Sequence, residues 1–502
     1  MTDESQQRRT TIAIALAGTL PFLILAASHW RYGPLAQFGD WAQYMSHADA
    51  MRHGRPYGDI GYIFTNLNPF IGPPVEPPGL PAALVPLLAV TEGARDSALY
   101  KSFMIVCTVA FLLAAGRYLA HYGNRPLAFI SVLVTGVWLE SGFATNVVQP
   151  DVACCAFLWT LFYVVDAKEP WSWPRVVAVS LLGVLTIAFR LAALPLVPAV
   201  ALYAAMHRRE LGTRPFVPVL VWCVVGAAAV TASAGAMTFA RLVPRDPGLL
   251  AGAISQGAMI YPFATLDLFL YPFPWNRAND AYHLVVAAFA VVGAFIWLPR
   301  MRSHVSIVFG AMYVAMLLVL PMQDARYLMP LAPLAPFLAG FGITSAAGRV
   351  SRLTKHGLTT LRAVRVSAAV MVAVVVLALV RELARPTPQV LMDAPGVRTL
   401  FARLQAARDS GAVRAVFVNP RVLTWETGVP AMGFFRAGVD TTLAEFRARG
   451  ITHVVVGDLQ TDTLRAASIQ SAVNARPEAF RRLYTEGAFT VFAFDSTRGP
   501  RP

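Results

Sequence analysis

Residues 39–90 read GDWAQYMSHADAMRHGRPYGDIGYIFTNLNPFIGPPVEPPGLPAALVPLLAV. From Trp41 the apolar residues Tyr44, Met45, Ala48 and Met51 recur at helical spacing. This predicts an amphipathic helix suited to lying on a membrane surface. Asp40 stands at its start. An aspartate there can cap the helix, because its carboxylate accepts hydrogen bonds from the first turn's orphan amides. Held rigidly, the same carboxylate can act as a general base, so the two roles are compatible. His47, Asp49 and His53 follow, but a six-residue separation of the histidines fits one helix face poorly, and solvated side chains are expected rather than a metal site. Beyond Gly58 and Asp59 the stretch becomes rich in proline (Pro69, Pro73, Pro74, Pro77, Pro78, Pro81), which predicts an extended, semi-rigid path. Glu76, the only acid between Asp59 and Glu92, is either solvated there or functional. The final PGLPAALVPLLAV is too short to span a bilayer and reads as a surface or re-entrant helix.

The rest of the chain explains why such a loop exists. Its 502 residues are 56% hydrophobic and only 14% charged, against about 25% charged in soluble domains. Too few charges remain to cover a soluble surface of this size. The formal charge of +14 would point a soluble protein toward nucleic acid, but in so apolar a chain membrane sidedness accounts for it and no nucleic-acid partner is expected. Cys107, Cys154, Cys155 and Cys223 lie in apolar runs without zinc or disulfide spacing and are expected to behave as small hydrophobes. The basic and then apolar N-terminus permits a cleaved signal peptide, although a retained first helix suits a chain with many later spans.

Windows of about 20 apolar residues predict an α-helical polytopic membrane protein. Eleven spans fall near 11–29, 98–116, 127–140, 151–166, 175–190, 191–206, 216–240, 282–299, 303–320, 328–345 and 366–384. Arg190 followed by Leu-Ala-Ala-Leu-Pro predicts a break within 175–206. With a cytoplasmic N-terminus, sixteen cations fall in inward segments, against five in short outward loops: Arg190, Arg241, Arg245, Arg277 and Arg326. This agrees with the positive-inside rule and places the C-terminus outside. The expected division is a transmembrane domain, 1–384, carrying a first outer loop at 30–97, and a small extracytoplasmic α/β domain at 385–502. In the latter VRTLFARLQAARDSG reads as a helix, while AVRAVFVN, ITHVVVGD and AFTVFAFD read as strands.

Ionisable residues gather at the outer ends of the spans. Asp151 opens the fourth span after Pro150, where it either caps the helix or serves function, since carboxylates at membrane depth are costly. Arg190 and Arg326 either snorkel to headgroups or bind phosphate, which suits a guanidinium fork.

Order and sidedness together resemble the GT-C superfamily of integral-membrane glycosyltransferases, especially bacterial relatives of protein mannosyltransferases and aminoarabinose transferases. The elements are Gly39-Asp40-Trp41, the helix to His53, the turn Gly54-Arg55-Pro56-Tyr57-Gly58-Asp59, Pro77-Pro78-Gly79-Leu80-Pro81, and a later Arg326-to-Pro333 segment, RYLMPLAP. The tail segment NPRVLTWETGVPAMGF, 419–434, is similar to outer domains appended to some members. Trp41 stands where many members have a second acid, and Pro77 where the aminoarabinose branch often has lysine. The resemblance implies transfer of a sugar from a polyprenyl-phosphate carrier to an acceptor hydroxyl at the outer face of the bacterial inner membrane, with inversion. Asp40 would be the base, and Arg326 and Arg190 would hold the leaving phosphate. Glu76, Asp59, Asp151 and Tyr327 would orient substrate. Partners would be the lipid-linked sugar, membrane lipids and a lipid, glycan or protein acceptor of the cell envelope. No cofactor is certain, and a divalent metal is left open. The alternatives are a transporter or flippase, which would favour mid-membrane acids and repeated hydropathy, and a scaffold or sensor.

Overall fold

The computed structural model describes residues 13, 16–30, 39–65, 67, 76–91, 98–122, 124–141, 144, 146–166, 170–232, 247–301, 304–320, 324–353, 360–385, 392, 394–457 and 463–497. Pro69, Pro73, Pro74, the start of the first span, Arg8, Arg9, Lys168, Arg241, Arg245, Arg302 and Lys355 lie outside the described residues.

In chain order the helices are α1 (Leu20–Ser28), α2 (Asp40–Arg52), α3 (Gly79–Val90), α4 (Ala98–Tyr122), α5 (Arg125–Ser141), α6 (Pro150–Val165), α7 (Trp173–Phe189), α8 (Leu196–Met206) and α9 (Phe216–Ala232). They continue with α10 (Pro247–Asp267), α11 (Asn276–Met301), α12 (Val305–Val319), α13 (Leu334–Leu353), α14 (Thr360–Leu383), α15 (Val397–Ser410), α16 (Pro420–Thr427), α17 (Val439–Ala448) and α18 (Thr463–Ala475). Two compact units result, one of Met1–Arg31, Lys101–Thr145 and Pro150–Pro386, the other of Tyr32–Tyr100, Asn146–Gln149 and Thr387–Pro502. Residues 32–100 thus group with the tail rather than with the remainder of 1–384.

In the first unit a helix occupies every stretch read as a span, although among the described residues only Ala98–Tyr122 and Asn276–Pro299 are long and apolar enough to cross a membrane by themselves. The break at Arg190 is present: its backbone is extended, and a 3-10 turn, Leu191–Ala193, separates α7 from α8. Residues 325–331 form a 3-10 turn ahead of α13 rather than the start of an α-helix, since Pro330 and Pro333 lack the amide that an α-helix would use. Helix α10 is a correction. The sequence left it in an outward loop because Ser255, Gln256 and Pro262 interrupt its apolar run.

Two features lock this unit. Helices α11 and α13 approach through bare backbone: a Cβ added to Gly293 would lie 1.9 Å from the Leu338 carbonyl oxygen, and one added to Gly342 would lie 1.9 Å from that of Phe289. Small residues at such crossings let membrane helices reach contact that larger ones forbid. The second is Asp166, 3% exposed, after the end of α6. Its carboxylate accepts from Tyr118 Oη at 2.6 Å, from His304 Nδ1 at 3.0 Å and from the Val305 amide at 2.9 Å. It thereby ties α4 and α6 to the N-terminus of α12, where an anion is stabilised.

The second unit is built on a six-stranded sheet of order β1-β3-β2-β4-β6-β5. Its strands are β1 (Tyr62–Ile63), β2 (Ala415–Val416), β3 (Ala431–Met432), β4 (His453–Val456), β5 (Phe480–Glu486) and β6 (Phe489–Phe494). The first four spatial neighbours pair in parallel, and β6 and β5 close the sheet antiparallel. Tyr62 registers with Ala431 and Ile63 with Met432, so the first loop supplies an edge strand to the tail's sheet. Ile63, Val416, Met432, Phe446, Val454 and Phe494 share one buried core. Helix α2 is not an amphipathic surface helix: Trp41 to Ala48 are buried without a break. Some of its polar side chains find partners inside: Ser46 Oγ donates to the Ala42 carbonyl at 2.8 Å.

Replacing Gly342 by alanine is expected to destabilise the helical unit by about 3 kcal/mol, the upper end for overpacking, because the obstacle is backbone. Thermal unfolding of purified protein in detergent would show a lower transition, whereas Gly252→Ala, where nothing lies within 4 Å, should leave it unchanged.

Candidate functional site

Asp40 is the first residue of α2, and the N-cap position is taken by Gly39. Its carboxylate forms an ion pair through Oδ1 with Nη1 of Arg421. Arg421 enters because Pro420 starts α16, a favourable first helical position, and it lies two residues after Asn419, whose side chain lies so close to Gly39 that a Cβ there would fall 2.3 Å from Asn419 Oδ1. The Arg421 side chain is 5% exposed and that of Asp40 26%. Burial works against the guanidinium's charge, but Asp40 first, then Tyr62, Glu76 and Tyr44, outweigh it and raise its pKa. The guanidinium carbon also lies 5.1 Å from the centre of the Tyr62 ring. Nε and Nη2 of Arg421 are buried without a hydrogen-bond partner among the described residues, as are the indole N–H groups of Trp41 and Trp425.

Glu76 is held near this pair through its backbone. His47 is fully buried, a correction to the expected solvated histidine. Its Nδ1–H donates to the Tyr57 carbonyl at 2.8 Å, and its Nε2 accepts from the Glu76 amide at 3.4 Å. The imidazole stacks on Tyr57 with centroids 4.4 Å apart, and Tyr57 Oη donates to the Glu76 carbonyl at 2.8 Å. Burial, helped by Arg421, lowers the His47 pKa to about 4 against the pull of its Tyr57 hydrogen bond. The ring is therefore neutral at pH 7 and acts as a clamp. Asp49 pairs with Arg55 and with the exposed His53, and Asp59 is exposed in the turn. Both His47 nitrogens being engaged, the three side chains form no metal site.

A second cluster lies in the helical unit. Asp151, buried in the first turn of α6, accepts from Arg190 Nε at 2.8 Å. Arg190, 14% exposed, is paired within the protein rather than snorkelling. Its guanidinium carbon lies 5.1 Å from the Tyr327 ring centre, and that of Arg326 lies 5.8 Å from the same ring. Arg326 pairs with Asp324 at 2.9 Å, while the Asp324 carboxylate also caps the following 3-10 turn. A recess beside this cluster is lined by Asp151, Cys154, Cys155, Arg190, Tyr313 and Pro330. The structure thus brings Asp151, Arg190, Tyr327 and Arg326 together, and adds Asp324. Two guanidinium groups about one ring, each paired with a carboxylate, are of the type that binds phosphate through charge-assisted hydrogen bonds.

Sequence reasoning missed Arg421 and the buried role of His47. The only available signal for Arg421 was its place in the NPRVLTWETG segment, 381 residues from Asp40.

The clamp has a pH signature. The His47 pKa is depressed on folding, so its neutral form contributes stability above its unfolded value of 6.5, lost as the pH falls toward about 4. The loss should approach about 3 kcal/mol. Thermal melts between pH 7 and 4.5 should show it, and His47→Gln should flatten the dependence over that window.

No protein-family model and no curated protein matches the chain. Solved structures are similar to it in fold. ArnT from Cupriavidus metallidurans in the apo state has a TM-score of 0.51 at 12% identity, with 100% of each chain covered. The Archaeoglobus fulgidus oligosaccharyltransferase in complex with Zn and sulfate has a TM-score of 0.52 at 10% identity, over 96% of this chain and 73% of that one. The same enzyme tethered to an acceptor peptide containing the NVT sequon gives 0.50 at 12% identity, over 96% and 74%. Both neighbours are GT-C glycosyltransferases. The chain has the fold of the GT-C integral-membrane glycosyltransferases, the group its spans and first loop resemble.

Proposed function

We propose that this protein is a glycosyltransferase that moves a sugar from a polyprenyl-phosphate carrier to an acceptor hydroxyl at the outer face of a bacterial inner membrane. The observation that carries this reading is the pair Arg190 and Arg326 about Tyr327, in an apolar chain of GT-C fold. Fold alone does not assign chemistry, but a lipid phosphate leaving group needs both an apolar surrounding and cations.

In the proposed reaction Asp40 takes the proton from the acceptor hydroxyl as its oxygen attacks the anomeric carbon. The bond from that carbon to the phosphate oxygen breaks, and its electron pair leaves with the phosphate. Arg326 and Arg190 stabilise the developing negative charge. Direct displacement inverts the anomeric centre. Glu76, Asp59, Asp151 and Tyr327 orient hydroxyl groups of donor or acceptor, and the acceptor is a lipid, glycan or protein hydroxyl of the cell envelope. A cytoplasmic N-terminus and an outer tail complete the reading, which requires that α10 not cross the bilayer.

Purified protein in liposomes, given undecaprenyl-phosphate-linked radiolabelled monosaccharides and envelope material as acceptor, should transfer label. Asp40→Asn should lower the rate roughly 10²- to 10⁴-fold. Arg326→Ala should cost about 10²- to 10³-fold, as loss of an oxyanion donor does. Full activity of a folded Asp40→Asn protein, or movement of a solute without any sugar donor, would overturn the proposal. Orientation is tested separately: alkaline phosphatase fused after residue 384 should be active, and fused after Arg349 inactive.

A further inference from the structure

Arg421 is an expensive residue to bury half-used. A guanidinium carries five N–H donors in a rigid fork, and buried polar groups in folded proteins almost always find partners. Here Nη1 is held by Asp40 and Tyr62 lies against the guanidinium, while Nε and Nη2 meet no well-aligned hydrogen-bond partner among the described residues. A purely structural ion pair has no use for that second edge.

The neighbouring groups point the same way. Trp425 lies four residues after Arg421, on the same face of α16. Trp41 lies next to Asp40 on α2, and both indole N–H groups are buried without partners among the described residues. Every one of these orphaned groups is a donor, so whatever meets them must offer oxygen or nitrogen acceptors. Charge then narrows the class. Arg421 is one positive charge against Asp40 and Glu76, and His47 is neutral at pH 7. With the balance already negative, an anionic acceptor is repelled, whereas the hydroxyl oxygens of a sugar are not. Hydroxyls also donate, which suits a carboxylate beside them.

We propose that Arg421, on helix α16, completes the Asp40 site: its Nη1 arm positions the carboxylate, and its Nε–Nη2 edge donates to hydroxyl oxygens of a neutral sugar. This deepens the glycosyltransferase reading, because it makes the C-terminal segment part of the substrate site. The sugar belongs either to the donor or to the acceptor.

The test uses Arg421→Lys, which keeps the charge for Asp40 but removes the side-on edge. Saturation-transfer NMR of the full chain in nanodiscs, with methyl glycosides of mannose, glucose and arabinose as probes, reads binding without catalysis. At least one probe should bind the wild type and bind Arg421→Lys at least tenfold more weakly. Trp425→Phe, which keeps a ring and removes the N–H, should weaken the same probe about threefold or more and serves if Arg421→Lys fails to fold. Absence of binding to the wild type overturns the proposal, as does unchanged binding in the variants. Loss of transfer with these binding results intact would sink the glycosyltransferase reading and leave the sugar site standing. In the transfer assay Arg421→Lys should raise KM more than it lowers kcat. A rise for the undecaprenyl-phosphate sugar assigns the edge to the donor, and a rise for the envelope material assigns it to the acceptor.

Discussion

A carboxylate taken out of water must meet a countercharge or hydrogen-bond donors where it stands, because an unpaired ion in a protein interior costs several kcal/mol. With so few charges in the chain, this constraint decides which elements must meet. Glu140 in α5 is matched by His29 after α1, at 3.1 Å. Asp151 in α6 is matched by Arg190 at the break between α7 and α8. Asp166 gathers Tyr118, His304 and the first amide of α12. Asp40 is matched by Arg421. Each pairing joins segments that are separate in sequence. Apolar burial is non-directional and tolerates sliding, whereas these contacts admit little, and they fix which turn of one helix faces which turn of another.

The two clusters use charge differently. About Tyr327 two arginines are each held by an acid. About Asp40 the balance is negative, and the nearest histidine is kept neutral by burial. In the proposed reaction the first would meet the departing phosphate and the second the hydroxyl that gives up a proton.

What was legible follows from the range of each interaction. Apolar runs mark helices locally, and Arg190 with its following proline marks the break, because both signals lie within a few residues. ITHVVVGD and AFTVFAFD were readable as strands through their β-branched and aromatic content. Strands β1, β3 and β5 were not: β1 and β3 are two residues long without an apolar run around them, and β5 is mostly exposed and carries Arg481, Arg482 and Glu486. Helix α10 was obscured by Ser255, Gln256 and Pro262, which lower its hydropathy without preventing its hydrogen bonds. Asp40 announced itself by position, but its partner lies in a segment whose own pattern reads only as a short helix. The surface helix expected at 41–51 failed for a related reason: periodic apolar residues say that one face is buried, and they cannot say that Gln43, Ser46 and His47 find partners on the other.

The pairing of Tyr62 and Ile63 with Ala431 and Met432 has a consequence for biogenesis. The edge strand is synthesised about 370 residues before its partner, which at roughly 5–20 residues per second is a wait of about 20–70 s. During that interval the loop carrying Asp40 exists without the sheet that will hold it and without Arg421. Its folding is therefore post-translational even if every membrane helix inserts as it emerges. A chain truncated within the tail would keep its hydrophobic spans and still present this loop to proteases, so quality control at the membrane surface can read completion of the last hundred residues through the state of the first loop.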